Sequence, residues 1–97
     1  MAKTKDALKI IDKMTRTDRD LQEMVAQASV NAEVAQLIYE ARTKAGLTQK
    51  QLADLIDTKQ SVIARLEDAD YEGHSLSMLQ RIAHALNKRV EIHLTSI

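Results

Sequence analysis

No cysteine occurs among the 97 residues, so disulfides and thiolate metal sites are excluded, and a reducing compartment is the expectation. Proline is absent too, and only Gly46 and Gly73 loosen the backbone, so little in the chain interrupts a helix. Phenylalanine and tryptophan are missing. Tyr39 and Tyr71 are the only rings, too few for a β-sandwich core or an aromatic platform that stacks bases. The opening MAKTKDALKI is charged and lacks the apolar run of a signal peptide. Nowhere do apolar residues approach the run of about 18 that spans a membrane. A soluble, cytoplasmic protein with no membrane partner is expected. Net charge is missing as well: 14 basic residues stand against 14 acidic ones. The chain as a whole therefore gains no electrostatic attraction to phosphate.

What remains is rich in alanine, leucine, glutamine, lysine and acidic residues, a helix-forming mixture. Leu8, Ile11 and Met14 recur at helical spacing and predict a short amphipathic helix over Ala7 to Met14. Thr15 to Thr17 interrupts that pattern. Asp18 can cap a second helix, with Leu21, Met24, Val25 and Ala28 on its apolar side. Ser29 to Asn31 either breaks the helix or lies inside one long helix. Val34, Leu37, Ile38, Ala41 and Ala45 form the next apolar stripe, closed by Gly46. Thr48 and Gln51 have capping-box spacing and open a helix to about Ile56 that buries Leu52, Leu55 and Ile56. Thr58 or Lys59 starts another helix with Val62, Ile63 and Leu66 inward. Asp68 to His74 reads as a polar loop. Ser75 caps a helix carrying Leu79, Ile82, Ala83 and Leu86, and Asn87 ends it in a left-handed conformation.

After Arg89 the period changes to two. Val90, Ile92 and Leu94 alternate with Glu91 and His93, a strand pattern. A lone strand leaves its backbone groups unpaired. Either the same strand of a second subunit completes it, or the tail packs on its own domain without a ladder. Residues 1–29 thus read as a helical extension, 30–88 as the main domain, and 89–97 as a tail that can dimerise.

Catalysis finds no support in the sequence. His74, His84 and His93 fall on a loop, a helix and a strand without paired ligand spacing. Asp68, Asp70 and Glu72 lack the glycine and closing glutamate of a calcium loop. No nucleophile, base and orienting group can be assembled, so no catalytic residue, metal or cofactor is expected.

The decisive feature is a pair of short helices, about Gln49 to Ile56 and Lys59 to Glu67, joined by a tight turn. Helices this short need neighbours, which Val34, Leu37 and Ile38 before them and Leu79, Ile82 and Leu86 after them can supply. The second helix exposes Lys59, Gln60 and Ser61, then Ala64 and Arg65, a thin polar surface that suits the major groove. The stretch GLTQKQLADLIDTKQSVIARLED resembles the helix-turn-helix of the XRE family, the Cro and phage-repressor type. The resemblance covers roughly Asn31 to Asn87. It rests on Leu47, Thr48, Gln49, Leu52, Ala53, Ile56, Gln60, Ser61, Ile63, Arg65, Leu66 and Glu67. It implies an all-α, lambda-repressor-like bundle with an N-terminal helical extension and one short C-terminal β-strand, and a double-stranded DNA operator as partner. It implies base reading by Gln60, Ser61, Ala64 and Arg65. Phosphate contacts are implied for Thr48, Gln49, Lys50, Lys59 and Ser75, and a close helix crossing at Ala53. A phosphate contact by Gln49 alone would weaken all sequences alike when removed.

Three departures stand out. Asp57 occupies the turn position where the family usually has glycine, and aspartate tolerates the left-handed conformation. Lys59 stands where serine or threonine usually caps the recognition helix. From Gly46 to Asp70 three basic residues (Lys50, Lys59, Arg65) face five acidic ones (Asp54, Asp57, Glu67, Asp68, Asp70). Symmetric doubling of contacts in a homodimer would offset that balance.

A small XRE domain with an N-terminal helical extension and a closing KRVEIHL segment also resembles HigA-type antitoxins. That resemblance implies neutralisation of a RelE/HigB-like toxin and repression of the protein's own operon. Toxin contact is implied through Leu8, Ile11, Met14, Leu21 and Met24. The same apolar stripes fit an ordinary core covering equally well. Two alternatives stay open: a stand-alone repressor without a toxin, and an interaction bundle that has lost DNA binding. Zero net charge favours the bundle; the polar face of Gln60, Ser61 and Arg65 opposes it.

Overall fold

Between residues 6 and 44 there is neither proline nor glycine, and one helix runs through them all. A computed structural model describes the backbone of residues 6–96 and the side chains of residues 18–96. Its four helices are α1 (Asp6–Lys44), α2 (Gln49–Leu55), α3 (Gln60–Leu66) and α4 (Leu76–Ala85). The break expected at Thr15 to Thr17 is absent, and Asp18 caps nothing; Ser29 to Asn31 lies inside one long helix, the second of its two readings. Each threonine, serine or asparagine lowers helix propensity by at most about 0.7 kcal/mol. Breaking the helix would forfeit several backbone hydrogen bonds and require a second nucleation.

The chain divides into two units, residues 1–30 and 31–97. In the first unit every described side chain from Asp18 to Val30 is exposed, including Leu21, Met24, Val25 and Val30. The side chains of Leu8, Ile11 and Met14, expected to meet a toxin, lie outside the described residues.

The second unit holds the core: Ile38, Leu52, Ala53, Ile56, Ile63, Leu66 and Ile82. Val34, Val62, Tyr71, Met78, Leu79, Ala85 and Leu86 pack against it. Leu52 and Ile63 are fully buried. Three residues of the expected apolar faces are exposed instead, Leu37, Ala45 and Leu55. The buried line of α1 is Ala35, Ile38 and Arg42, spaced three and four apart. Leu37 follows Ala35 by only two positions, about 200° around the helix, and so faces away. Leu55 lies three residues after Leu52, but the seven-residue α2 buries a narrow face on Leu52, Ala53 and Ile56.

Three helix ends repeat one device. At the end of α1, the N–H groups of Gly46 and Leu47 donate to the carbonyls of Thr43 and Arg42. Asp57 and Thr58 do the same to Asp54 and Ala53 after α2, and Asn87 and Lys88 to His84 and Ala83 after α4. Gly46, Asp57 and Asn87 carry the left-handed residue this requires, at φ 75°, 58° and 60°. At the N-termini, Thr48 and Gln51 complete the expected capping box, and Ser75 caps α4 through the N–H of Met78. Lys59 precedes α3 with no side-chain cap, and Thr58 does not replace it.

Arg89 to Leu94 forms no strand among the described residues. The alternating pattern is there, but among the described residues there is no second strand for it to pair with. Ile92 and Leu94 are exposed, while Val90 is half-buried. The loop from Asp68 to His74 is less polar in practice than in composition. Tyr71 packs on the core and meets His74 edge-on at 5.1 Å between ring centres. His74 Nε2 donates to the Leu66 carbonyl at 2.7 Å, which ties the loop to the end of α3.

Candidate nucleic-acid interface

Helix α3 has two sides. Ile63 and Leu66 are buried and Val62 half-buried, whereas Gln60, Ser61, Ala64 and Arg65 are all exposed. The spacing of those four, positions one, two, five and six of the helix, puts them on a common face. Lys59 is exposed at the N-cap. The four residues expected to read bases thus share one solvent-facing strip with Lys59 at its start.

Helix α2 crosses behind α3. Ala53 is 1% exposed within the core, and its carbonyl accepts from the Thr58 N–H at 2.9 Å as the chain turns back. On the far side, Arg81 of α4 donates to the carbonyl of Ile56 and secures the end of α2.

Gln49 joins the two helices more tightly than a simple phosphate anchor would. Its Nε2 donates to Glu67 Oε1 at 3.1 Å, and its Oε1 accepts from Gln60 Nε2 at 3.4 Å. The second N–H of Gln49 has no partner among the described residues and is available to an external oxygen. Gln49, expected to contact phosphate, is thus hydrogen-bonded to Gln60, the first of the residues expected to read bases.

Behind Gln49 lies an ion pair that the sequence pattern did not reveal. Arg42 Nε donates to Glu67 Oε2 at 2.7 Å and Nη2 donates to Oε1 at 3.0 Å, a bidentate clasp. Nη1 donates to the Leu47 carbonyl at 2.8 Å. The side chains are 10% and 5% exposed. The hydrogen bond with Glu67 holds the Arg42 pKa above its ordinary value, more than offsetting desolvation. A signal was present: Arg42 follows Ile38 by four residues and so falls on the buried line of α1. Glu67 matched the family without being given a role.

The pair also softens the charge objection. Glu67 is neutralised internally by Arg42, and Lys50 lies 3.3 Å from Asp54, the two well exposed. The other expected phosphate residues are placed unevenly. Lys50 and Lys59 are exposed. Thr48 uses its backbone N–H and hydroxyl oxygen in the capping box, and Ser75 uses its oxygen on Met78. The Thr48 hydroxyl keeps a proton to donate, whereas Ser75 Oγ also lies 3.4 Å from Ser77 Oγ. Among the described residues no cluster of histidine and acidic side chains could hold a metal ion, and no helix is long and apolar enough to cross a membrane.

No curated protein and no solved structure matches the chain. A family model described as helix-turn-helix matches residues 38–92, more than half of the sequence, and takes in α2, the turn, α3 and α4. Two short helices joined by a tight turn fit that description, and the chain belongs to the XRE-type helix-turn-helix family.

Proposed function

We propose that this protein is a sequence-specific DNA-binding repressor that acts in the cytoplasm as a homodimer and serves as the antitoxin of a toxin–antitoxin pair. The observation that carries the DNA-binding part is the exposed strip Gln60, Ser61, Ala64 and Arg65 opposite the buried Ile63 and Leu66. Such a helix presents donors and acceptors to base edges while its other side holds it to the domain. A helix used only for packing has no need of that composition. Binding to a pool of randomised duplex DNA, followed by sequencing of the bound fraction, tests it. An enriched motif is expected; a bound fraction with the composition of the input would refute base-specific binding.

The antitoxin part is supported by the exposed apolar side chains Leu21, Met24, Val25 and Val30 of α1, which offer a partner a surface rich in branched and thioether groups. Its test is co-purification with the product of the neighbouring reading frame, which this reading requires to be a RelE-like endoribonuclease. Leu21→Lys with Met24→Lys should abolish it, and undiminished co-purification would reject the surface. Homodimerisation draws on the alternating tail, whose Ile92 and Leu94 are exposed. Ile92→Lys with Leu94→Lys should shift sedimentation from dimer to monomer; an unchanged dimer would place the contact elsewhere.

A further inference from the structure

The hydrogen bonds that leave Glu67 form a chain with a fixed direction. A carboxylate only accepts, so the amide of Gln49 must turn its Nε2 end toward Glu67. That leaves the Gln49 Oε1 facing Gln60. A carbonyl oxygen also only accepts, so Gln60 must turn its own Nε2 end toward Gln49. The two ends of a glutamine amide have nearly the same shape, and packing alone would not choose between them. The charge of Glu67 chooses for both. Once it has done so, Gln60 retains one N–H and its Oε1, with no other partner among the described residues. One donor beside one acceptor is what the N7 and N6 edge of adenine requires.

We infer that Glu67, clasped by Arg42, is a positioning residue for base reading: it sets the amide polarity of Gln49 and, through it, that of Gln60. The inference rests on the DNA-binding reading above. Glu67 touches no base. Its side chain is 5% exposed and both its oxygens are held by the Arg42 guanidinium, so water neither screens nor reorients it. Base choice at one position would thus depend on an ion pair beneath the reading surface.

The test takes the full chain through selection on randomised duplex DNA, with thermal melting in parallel. Gln60→Ala identifies the base pair that Gln60 reads, as the position whose preference disappears. The double variant R42M/E67M replaces the pair with apolar side chains of similar length, a change that commonly preserves a fold. It should lose preference at that same base pair by about fivefold or more, the lower end for one bidentate contact, and keep the preferences elsewhere in the motif. Ile82→Val removes one core methylene group and lowers melting while leaving every preference intact, which separates positioning from stability. Gln49→Leu keeps the ion pair and cuts the chain in the middle, so it too should lose that preference.

A folded R42M/E67M that keeps the wild-type preference would overturn the inference. So would loss spread evenly over all positions in step with melting, and so would an intact preference in Gln49→Leu. A wild-type protein that enriches no motif would overturn the DNA-binding reading and this inference together. A wild-type motif with unchanged variants would overturn the inference alone.

Discussion

Replacing Arg42 by methionine isolates the interaction that the sequence pattern concealed. Arg42 is 8% exposed and makes three hydrogen bonds, two to Glu67 and one to the Leu47 carbonyl at 2.8 Å. Its guanidinium also lies 5.4 Å from the centre of the Tyr39 ring, within cation–π range. Without it, the Glu67 carboxylate keeps Gln49 as its one remaining side-chain donor, and the Leu47 carbonyl loses its arginine. Breaking a buried pair from one side costs about 3–5 kcal/mol, a large share of the roughly 5–15 kcal/mol that holds a small domain together. At roughly 4–8 °C per kcal/mol, melting should fall by more than about 12 °C. The double variant R42M/E67M removes both charges and should regain at least about 2 kcal/mol relative to either single change. Urea unfolding of all four proteins, followed by circular dichroism, measures the cycle. An Arg42→Met protein within about 1 kcal/mol of wild type would refute the reasoning, as would a double variant less stable than either single one.

Three further outcomes are expected from the same unfolding assay. Asp57→Val puts a β-branched residue at φ 58° and should destabilise by about 1–2 kcal/mol, whereas Asp57→Gly should not destabilise; equal losses would show that the turn does not depend on the left-handed residue. Lys59→Ser supplies the side-chain cap that α3 lacks and should stabilise by about 0.5–2 kcal/mol, and no gain would mean that the exposed N–H groups of α3 are already satisfied. Leu52→Ala should cost about 2–5 kcal/mol and Leu55→Ala less than about 0.5 kcal/mol; similar values would contradict the buried face assigned to α2.

Helix ends were the most legible part of this chain, because each carries its own chemistry. Gly46 and Asn87 stop helices, Thr48 with Gln51 and Ser75 start them, and Asp57 takes the left-handed turn, each through bonds within a few residues. The boundary between α2 and α3 was legible for the same reason. Faces were harder to read. Leu37 and Leu55 are apolar and fall near helical spacing, yet Leu37 points away from the buried line of α1 and the short α2 buries a narrower stripe than its composition suggests. Arg42 hid in the opposite way, as a charged residue on the buried line whose partner is 25 residues away. The length of α1 depended on what was missing, since no single weak helix former outweighs an uninterrupted run without proline or glycine. Val90, Ile92 and Leu94 show the limit of periodicity: alternation marks a segment that can pair, but a strand forms only where a second edge is present. At the candidate interface, the exposed residues of α3 were readable one by one. The hydrogen bond between Gln49 and Gln60 was not, because it depends on how α2 and α3 cross.

The central claim is that Gln60 reads a base from the exposed strip of α3. Its most direct test is the affinity of wild type and Gln60→Ala for three duplexes: the selected motif, that motif changed at the base pair assigned to Gln60, and an unrelated sequence. Gln60→Ala should weaken binding to the motif by about 1–3 kcal/mol, roughly 5- to 150-fold, and should no longer distinguish the first two duplexes. Its affinity for the unrelated duplex should match wild type. A Gln60→Ala protein that still discriminates between the first two duplexes as wild type does would contradict the account.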